Sequence, residues 1–534
     1  MQFTDTSEKG FQKFIVNYLT DKTIGHNFIE TTSAEFDAEF CINKKQLLAF
    51  IEATQKDKYE MIQRKGERKF LVRLDEKIKE LGIIEVIRKG VKHFDKNIDL
   101  FYRKPSSIHN AKDAVNYAAN IFSVTQELVY SLDHKNRLDL VIFINGIPII
   151  TSELKNPLSG QTVTKGIIQY QNDRDPKDKI LSFARCMVHF AADTELVYMC
   201  SELKKKASIF IPFNKGLNDS KPIEPFGAGN PVNPNGLKTH YFWEQILSKD
   251  SLSNIIDKFA QVIEETDEDT GKKTKKMIFP RYHQLTSVHQ ILAHAKENGI
   301  GQKYLIQHSA GSGKSKSIAW LAHQLHGLFD ATGENNLFDS VIVVTDRTEL
   351  DKQLRDEITQ FSPQKVIVAA ITGEGGSKTS QLREAIANKK KVIICTIQTF
   401  PHLLDEMQGL DSLKFAIIID EAHSSQSGET SAKMNAVLAD KNEDYEDEDE
   451  PTLEDKINEL IESRKMIKNG SYFAFTATPK NKTLETFGVR TEKTYVDGNG
   501  EIKTKFDAFH LYSMKQAIEE EFILDVLQNY TTYK

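Results

Sequence analysis

The chain has 534 residues, of which 39% are hydrophobic, and a formal net charge of −6. This length allows three or four domains with packed cores, and the four cysteines lie too far apart to indicate a zinc site or a disulfide framework. The acidic balance excludes a general attraction for nucleic acid, so any DNA contact must come from local basic surfaces. The start MQFTDTSEKG lacks the features of a signal peptide, and no apolar run approaches the ~20 residues of a membrane span. We therefore expect a cytoplasmic protein with no membrane association.

The most informative stretch of the first part of the chain is DLVIFINGIPIITSELKNP, residues 139–157. Two apolar runs joined by Asn-Gly predict a β-hairpin. Asp139, Glu153 and Lys155 are the residue types that a Mg²⁺-dependent nuclease centre needs, namely two metal-binding carboxylates and a cation. The alternative is a solvent-exposed sheet face, on which acids and lysines commonly alternate.

The position of Asp139 relative to Glu153 depends on the turn. With a plain two-residue turn, Asp139 lies opposite Ser152 and faces away from Glu153. A three-residue loop, residues 144–146, beside a bulge places Asp139 opposite Thr151, which makes the two acids diagonal neighbours ~7–8 Å apart at Cα. A shared metal ion therefore requires a bulged turn or an equivalent kink.

Two segments separate the hairpin from the second half of the chain. Residues 212–240 are rich in Pro, Gly and Asn, which predicts a surface excursion or a linker at the end of a first domain, residues 1–245. Helical apolar spacing in residues 241–265, followed by the charged TDEDTGKKTKKM, predicts a helical and charged connector over residues 246–278.

From Phe279 onward, short apolar runs alternate with helical stretches. Continuous runs of this kind predict a parallel sheet with helices on both faces, an α/β architecture. The predicted strands are residues 303–307, 340–345, 391–396, 415–420 and 471–476. The dense acidic run at 440–455 is expected to be a solvated loop.

The sequence HSAGSGKSKS begins at His308, between a predicted strand and a predicted helix. A glycine-containing turn in this place points backbone N–H groups at an anion, and the helix N-terminus adds positive potential. Lys314 would reach the β- and γ-phosphates of ATP, and Ser315 would hold Mg²⁺, although His308 replaces the first glycine of the usual pattern. The residues expected to bind the nucleotide here are Gly311, Ser312, Gly313, Lys314 and Ser315.

A second acidic motif, FAIIIDEAH, places Asp420 and Glu421 at the end of a buried apolar strand. A carboxylate in that position costs desolvation unless it has a partner, which favours a metal site. We expect Asp420 to hold the Mg²⁺ through water and Glu421 to orient or deprotonate the attacking water.

The second half of the chain resembles the motor of superfamily 2 helicases and translocases. It contains three motifs of that family in the family's order: HSAGSGKS, DEAH (420–423) and FTATP (475–479). This resemblance implies a first RecA-like ATPase lobe over residues 279–482 and the start of a truncated second lobe over 483–534. Because only 56 residues follow Thr478, the isolated chain is expected to bind nucleotide, to hydrolyse it poorly and not to translocate.

The resemblance also assigns roles to single residues. VVTDRTELDKQL (343–354) and CTIQTF (395–400) are similar to DNA-contacting motifs, and FPRYHQLTSV offers Gln284 where the family reads adenine. It implies DNA contacts for Arg347, Thr396 and Gln398. It implies that nucleotide state is coupled to DNA binding by His423, Thr476 and Thr478.

Over nearly its whole length, the chain resembles the restriction subunit of type I restriction-modification enzymes. The features that carry this resemblance are the hairpin with its acids, the motor that begins RYHQL, and the stretch YSMKQAIEEEFILDVLQNYTTY (512–533) that follows the motor motifs. The resemblance implies a PD-(D/E)xK nuclease domain with a mixed sheet. Such nucleases often add a Q-x-x-x-Y motif. Here KGIIQYQND keeps Tyr170 as a candidate catalytic residue, but Gly166 stands in place of the glutamine, with Gln169 or Gln171 as substitutes. Glu8 could match a helical acid of these nucleases, although an acid at such a position is more commonly a surface residue.

The expected function is that of an ATP-dependent type I restriction endonuclease subunit, which translocates double-stranded DNA and cleaves it with a Mg²⁺ centre. Its expected partners are DNA and the modification (methyltransferase) and specificity subunits, and its cofactors are ATP and Mg²⁺. Two alternatives stay open: a repair or remodelling helicase with a non-catalytic N-terminal domain, and a degenerate subunit that binds DNA and partners without cutting.

Overall fold

A computed structural model of the chain divides into two compact units. The first comprises Met1–Asp219 and Ala228–Tyr282, and the second comprises Ser220–Gly227 and His283–Lys534. The residues that the structure describes are 7–266, 271–345, 348–361, 368–371, 380–381, 384–385, 390–396, 399, 413–420, 469–496 and 502–524.

The helices of the first unit carry apolar residues at the spacing that buries one face. The first of them illustrates this pattern, because it buries Phe11, Ile15 and Leu19 and begins where the Ser7 side chain accepts a hydrogen bond from Gly10 N–H (2.9 Å). The helices are α1 (Glu8–Thr20), α2 (Lys44–Thr54), α3 (Lys56–Lys65), α4 (Glu67–Leu81), α5 (Ile83–Lys89), α6 (Ala111–Ala118), α7 (Val163–Asn172) and α8 (Lys249–Asn254), with π-helical turns at Phe242–Ile246 and Ile255–Phe259.

A seven-stranded mixed sheet forms the centre of the first unit, as predicted. Its order is β1-β4-β5-β6-β7-β8-β9, and only the β1–β4 and β6–β7 pairs are parallel. Helix α7 connects β6 to β7, which is the crossover that two adjacent parallel strands require. The strands are β1 (Ile29–Thr31), β4 (Phe122–Val129), β5 (Arg137–Ile144), β6 (Ile147–Leu154), β7 (Val188–Ala192), β8 (Val197–Cys200) and β9 (Ile211–Pro212), and a separate hairpin consists of β2 (Val91–His93) and β3 (Lys96–Ile98).

The hairpin β5–β6 corrects the predicted turn. Asn145 and Gly146 form a two-residue turn with positive φ at both positions, and Ile144 pairs with Ile147, so the three-residue loop is wrong. The required irregularity lies instead in β6, where the register shifts because Ile149 has no partner on β5. Beyond this bulge Leu140 pairs with Ser152. The next residues in register, Asp139 and Glu153, therefore lie directly opposite each other on one face.

Gly146 is held in a buried turn whose backbone packs against α2. Its φ is +78°, and an added Cβ would lie 2.3 Å from Asn43 O and 2.8 Å from Leu47 N. We expect Gly146→Ala to lower the free energy of unfolding by about 2–4 kcal/mol, because left-handed strain adds to a clash with buried backbone. Urea unfolding of the full chain measures this loss.

The matched control is Gly160→Ala. Gly160 has a similar φ of +75°, but nothing lies within 4 Å of its added Cβ. We expect it to cost only the left-handed strain, about 1 kcal/mol. Equal losses in the two variants would show that the close approach to α2 contributes nothing.

The segment expected to be a helical and charged connector (246–278) belongs to the first compact unit. Its described second half is an antiparallel hairpin of β10 (Gln261–Thr266) and β11 (Lys273–Ile278) rather than a helix. Trp243, at the start of this region, is fully buried and meets the ring of Phe11 edge-on at 5.8 Å, which ties the region to α1.

The second unit is built on a parallel sheet, as predicted, with seven strands among the described residues. All its strand pairs are parallel, in the order β14-β15-β13-β16-β17-β12-β20. The five predicted strands are β12 (Lys303–His308), β13 (Ser340–Thr345), β15 (Val392–Thr396), β16 (Phe415–Ile419) and β17 (Gly470–Thr476); the strands β14 (Val368–Ala370) and β20 (His510–Tyr512) were not predicted. The helices with described bounds are α9 (Tyr282–Asn298), α10 (Lys314–Leu325), α11 (Thr348–Phe361), α12 (Asn481–Phe487) and α13 (Met514–Glu519).

Residues 483–534 were expected to begin a second motor lobe. Part of this segment instead adds a strand to the parallel sheet of the second unit. Strand β20 pairs in parallel with β12, on the side opposite β17. The strands β18 (Val489–Val496) and β19 (Ile502–Asp507) form a separate antiparallel hairpin before it. In the described part of the chain, no helix has both the length and the apolar character needed to cross a bilayer.

Candidate functional site

Asp139, Glu153 and Lys155 come together at one end of the β5–β6 hairpin. All three are buried, with 6%, 0% and 4% of their surfaces exposed. The alternative of a solvent-exposed sheet face is therefore wrong for these residues. Buried charges of this kind require compensating partners.

The Lys155 ammonium group supplies part of this compensation. Its Nζ donates to Glu8 Oε1 (3.0 Å) and to Leu154 O (3.1 Å) and lies 3.4 Å from Asp139 Oδ2. Asp139 Oδ2 also accepts a hydrogen bond from Leu154 N–H (2.7 Å). The helical acid anticipated at Glu8 thus does reach the hairpin, and α1, β5 and β6 meet at this lysine.

Glu153 has a different partner, which the sequence motifs did not indicate. Arg174 Nε donates to Glu153 Oε1 at 2.7 Å, and both side chains are buried. Glu153 Oε2 is buried and has no hydrogen-bond partner among the described residues. Arg174 lies one helical turn after Tyr170, and this spacing is the signal that could have pointed to it.

Burial raises the pKa of both carboxyl groups of the site. Burial raises the pKa of Asp139, and the Lys155 charge opposes that rise. Burial and the neighbouring Asp139 raise the pKa of Glu153 well above its usual value, against the effect of Arg174. Without a bound cation, the site holds two acids that resist simultaneous ionisation.

These shifts predict how stability depends on pH. Between the usual carboxyl pKa of about 4 and the raised folded values, the folded chain binds more protons than the unfolded chain. Stability from these groups is therefore present at low pH and is lost as the pH rises. We expect these two groups to stabilise the metal-free chain less at pH 8 than at pH 5. Buried histidines with lowered pKa, His189, His289 and His510, contribute in the opposite direction, so the test is a comparison with a variant.

Glu153→Gln tests the origin of that slope. Glutamine does not titrate, so the variant should lose less stability between pH 5 and pH 8 than the wild-type chain. The same slope in both proteins would assign the pH dependence to other groups.

The Q-x-x-x-Y region places Tyr170 in the core. Tyr170 is fully buried, and its hydroxyl lies 2.8 Å from Thr151 Oγ1. Gly166 lies where α7 packs on β6 and β7, since its added Cβ would lie 3.3 Å from Ala191 Cβ and 3.5 Å from Glu153 Cβ. Of the possible substitutes for the missing glutamine, Gln171 donates to Ser208 O (3.1 Å). A catalytic role of Tyr170 stays a prediction.

The two carboxylates fit a hard divalent cation. In the described part of the chain, no three His, Cys, Asp or Glu side chains already stand as a ligand set. Mg²⁺, however, is commonly bound through one or two carboxylates and keeps several waters. The buried Glu153 Oε2 atom, facing the same region as Asp139, is the observation that favours such an ion.

The predicted phosphate-binding loop of the second unit follows β12 and leads into α10. Gly311 and Gly313 have φ values of +70° and +74°, which open the loop around the start of the helix. Lys314 is the first helical residue, and its Nζ lies 3.4 Å from His308 O. Ser312 Oγ is buried without a hydrogen-bond partner among the described residues. Ser315 follows Lys314 in the first turn of α10.

Side chains at the start of α9 contact the backbone of the loop after β12. Gln284 Nε2 donates to Ser312 O and Gly313 O, both at 3.1 Å, and His283 Nε2 lies 2.9 Å from Ser312 O. In this structure Gln284 contacts the loop backbone, and its recognition of adenine stays a prediction. His283 was missed from the sequence, although it directly precedes Gln284.

A contact with β20 explains why a histidine, His308, stands in place of the usual glycine. Its Nε2 lies 2.9 Å from His510 Nδ1, and both rings are fully buried. Ser309 N–H donates to Tyr512 O (3.1 Å), which continues the β12–β20 pairing into the loop. The histidine therefore belongs to the sheet, and the turn itself begins after it.

Other predicted nucleotide residues lie at the same edge of the sheet. Thr476 ends β17 and pairs with Gln307, the residue before His308. Asp420 directly follows β16 and is 8% exposed, and its N–H donates to Val344 O (2.9 Å). Because the carboxyl ends of adjacent parallel strands meet at one edge, Asp420 and the loop after β12 lie on the same side of the sheet.

The predicted coupling and DNA-contacting residues are only partly described. Thr478 is exposed, whereas Thr396 is buried with its hydroxyl 3.2 Å from Thr399 Oγ1. The DNA contact predicted for Thr396 stays a prediction. The residues that lie outside the described part are Arg347, Gln398, Glu421 and His423, together with the acidic run 440–455.

Two protein families match this chain. Residues 8–208 match the family described as type I restriction enzyme R protein N terminus. Residues 283–443 match the family described as SWI2/SNF2 ATPase. The first match includes the hairpin site, and the second includes the predicted phosphate-binding loop.

Individual relatives share the first family's name. The chain is 24% identical over 438 residues to the type I restriction enzyme SauMSSORF170P endonuclease subunit of Staphylococcus aureus (strain MSSA476), covering 79% of this chain and 38% of the relative. It is 26% identical over 372 residues to the type I restriction enzyme HindI endonuclease subunit of Haemophilus influenzae, covering 66% of this chain and 30% of the relative. The matched part of the chain thus spans about a third of the length of these proteins.

A solved structure of a Sulfolobus solfataricus SWI2/SNF2 ATPase core in complex with double-stranded DNA is 16% identical and covers 38% of this chain and 34% of that one. The TM-score is 0.24. The α/β assignment rests on the sheet topology and on the family matches.

Proposed function

Because the chain carries the N-terminal domain of type I restriction enzyme R proteins followed by a SWI2/SNF2 ATPase domain, we propose that it is the motor and nuclease part of an ATP-dependent restriction endonuclease. It translocates double-stranded DNA with ATP hydrolysis and cleaves the DNA at a Mg²⁺ centre. It assembles with modification and specificity subunits, which recognise the DNA site. The weak ATPase activity of the isolated chain stays a prediction.

One observation supports the nuclease activity most directly. Two carboxylates and a lysine from separate strands are buried together, and one carboxylate oxygen, Glu153 Oε2, has no hydrogen-bond partner among the described residues. Burying both acids costs desolvation, and without a cation the two neighbouring carboxyl groups can offset only part of it by sharing a proton. A metal-binding site accounts for this cost.

The residues of the first unit divide the work. Asp139 and Glu153 would hold Mg²⁺, which when bound stabilises the charge that develops on the phosphate during hydrolysis. Lys155, whose ammonium group has two carboxylates and a carbonyl oxygen beside it, holds positive charge next to Asp139 and can orient an attacking water. Burial excludes bulk water and strengthens these interactions.

The residues of the second unit bind the nucleotide. Backbone N–H groups of the loop after β12 would bind the phosphates at the start of α10, Lys314 would neutralise their charge, and Ser315 and Asp420 would hold the nucleotide's Mg²⁺. The same-edge arrangement of Asp420 and the loop supports this assignment.

Cleavage by the assembled complex tests the proposal. With modification and specificity subunits, DNA and ATP present, Glu153→Gln should lower the cleavage rate by about 1,000-fold, since several kcal/mol of metal stabilisation is lost. ATP hydrolysis should persist. Glu202→Gln is the control, because Glu202 is a partly exposed acid of the same unit that pairs with Lys204 (2.7 Å).

The three functions considered give different results. Loss of cleavage in Glu153→Gln alone supports the nuclease. Unchanged cleavage in that variant removes the nuclease assignment from this hairpin and leaves a helicase with a non-catalytic first domain. A wild-type complex that binds DNA but neither cleaves it nor hydrolyses ATP is the degenerate binding subunit.

A further inference from the structure

Arg174 is a buried residue that neither the nuclease motif nor the motor motifs contain. It lies just after α7, and 6% of its side chain is exposed. Its Nε donates to Glu153 Oε1 (2.7 Å), and its Nη2 donates to the main-chain oxygen of Arg137. The guanidinium also lies 5.9 Å from the centre of the Tyr130 ring. One planar group is therefore held from three directions.

The two hydrogen bonds connect both strands of the site. Arg137 begins β5 and precedes Asp139 by two residues, so its carbonyl belongs to the strand that carries the first acid. Glu153 is on β6. The guanidinium thus fixes the Glu153 carboxylate relative to the backbone of the Asp139 strand, a geometry that its rigid fork suits.

The two carboxylate oxygens of Glu153 differ in their hydrogen bonding. Oε1 is occupied by Arg174, whereas Oε2 is buried and has no hydrogen-bond partner within the described residues. A group that only neutralised the carboxylate would gain by bonding both oxygens in the bidentate manner common for arginine. Here the second N–H group is directed to a carbonyl instead.

We propose that Arg174 is a positioning residue for the metal centre, which holds Glu153 through Oε1 and presents Oε2, beside Asp139, to a divalent cation. This inference rests on the proposed nuclease function. Groups that orient metal ligands in this way typically contribute 10–100-fold to metal affinity. A cation near a metal ion also repels it, so the contribution of Arg174 must come from geometry and must outweigh that repulsion.

Mn²⁺ binding to the full chain without nucleotide tests the proposal, with free Mn²⁺ measured by electron paramagnetic resonance. Arg174→Lys keeps the positive charge but cannot bridge Glu153 and the Arg137 carbonyl with one planar group. We expect it to weaken Mn²⁺ binding by about 10–100-fold, and we expect Arg174→Gln to weaken it at least as much. The Glu153→Gln variant should lose the Mn²⁺ site that the wild-type chain has.

Arg185 provides a matched control in the same unit. It is also buried, its Nη1 donates to Asp75 Oδ1 (2.8 Å), and its Nη2 donates to the main-chain oxygen of Phe40. Arg185→Lys therefore removes an equivalent bridge between an acid and a carbonyl. We expect it to reduce stability towards urea about as much as Arg174→Lys does and to leave Mn²⁺ affinity unchanged.

Stability gives a second readout that does not depend on equal folding of the variants. At one Mn²⁺ concentration, the rise in the urea midpoint reports affinity for the folded state. We expect a smaller rise in Arg174→Lys than in the wild-type chain or in Arg185→Lys.

Two results overturn the inference: wild-type Mn²⁺ affinity in Arg174→Lys, which would show that charge alone matters, or tighter binding in Arg174→Gln, which would make Arg174 a competing counter-ion. Equal Mn²⁺ binding by the wild-type chain and Glu153→Gln is a separate failure, because it removes the proposed nuclease centre itself.

Discussion

Replacing Lys314 by alanine is expected to weaken nucleotide binding by about 100-fold and to abolish ATP-dependent activity. Lys314 is the first residue of α10, directly after the loop whose glycines have positive φ. Its ammonium group is the charge nearest to the place where the phosphates would lie, and losing one partner of such a charge pair costs about 3 kcal/mol. Titration of the full chain with a fluorescent ATP analogue measures the affinity, and the assembled complex reports the activity.

Lys316 is the control for this substitution. It lies two residues further along α10, and its Nζ is 3.5 Å from Glu357 Oε1 of α11. We expect Lys316→Ala to bind the nucleotide like the wild-type chain. If Lys314→Ala binds within twofold of the wild-type affinity, the loop after β12 is not the nucleotide site.

Replacing Lys155 by methionine is expected to lower the free energy of unfolding by about 3–5 kcal/mol at neutral pH. The substitution removes the cation that lies 3.0 Å from Glu8 Oε1 and 3.4 Å from Asp139 Oδ2, and it leaves Asp139 buried without a lysine. Breaking a buried ion pair by removing one partner costs this much, because the remaining charge stays desolvated. Urea unfolding of the full chain at pH 7.5 measures the loss.

Lys96 also forms an ion pair but is more exposed than Lys155. Its replacement therefore tests whether burial causes the large loss of unfolding free energy expected for Lys155→Met. Lys96 Nζ lies 2.7 Å from Asp57 Oδ2, and the two side chains are 36% and 68% exposed. Lys96→Met should leave the free energy of unfolding nearly unchanged, as is usual for surface ion pairs. Comparable losses in the two variants would contradict the account of Lys155.

Most of the motor sheet could be predicted from sequence, because strands buried on both faces appear as unbroken apolar runs. The two strands that escaped prediction have three residues each, Val368–Ala370 and His510–Tyr512. Runs of that length carry no periodicity of their own, and their partners in the sheet determine them.

The hairpin site was only partly predictable. The Asn-Gly turn was evident, and so was the need for an irregularity. The irregularity was predicted at the turn itself, which is wrong, although Pro148 indicates its actual place in β6: proline has no N–H to donate, and within a sheet it is found at edges or bulges. The unpartnered Ile149 follows this proline directly.

Burial and partners were not predictable at all from local sequence. Whether Asp139 and Lys155 face water depends on α1, more than a hundred residues earlier, which brings Glu8 to the lysine. The pairing of Glu153 with Arg174 depends on where α7 ends. Both are tertiary effects, and a motif of three charged residues contains neither.

The position of β12 between β17 and β20 has a consequence for synthesis on the ribosome. Both neighbours of this strand come late in the chain, and His308 is separated from His510 by 202 residues. At about 5–20 residues per second, roughly 10–40 s pass between the synthesis of the phosphate-loop strand and that of its last partner. The sheet of the first unit is complete in sequence by Pro212 and can close earlier. During that interval the nascent motor exposes a strand with two unpaired edges, which makes it the part of the chain with the greatest need for a chaperone.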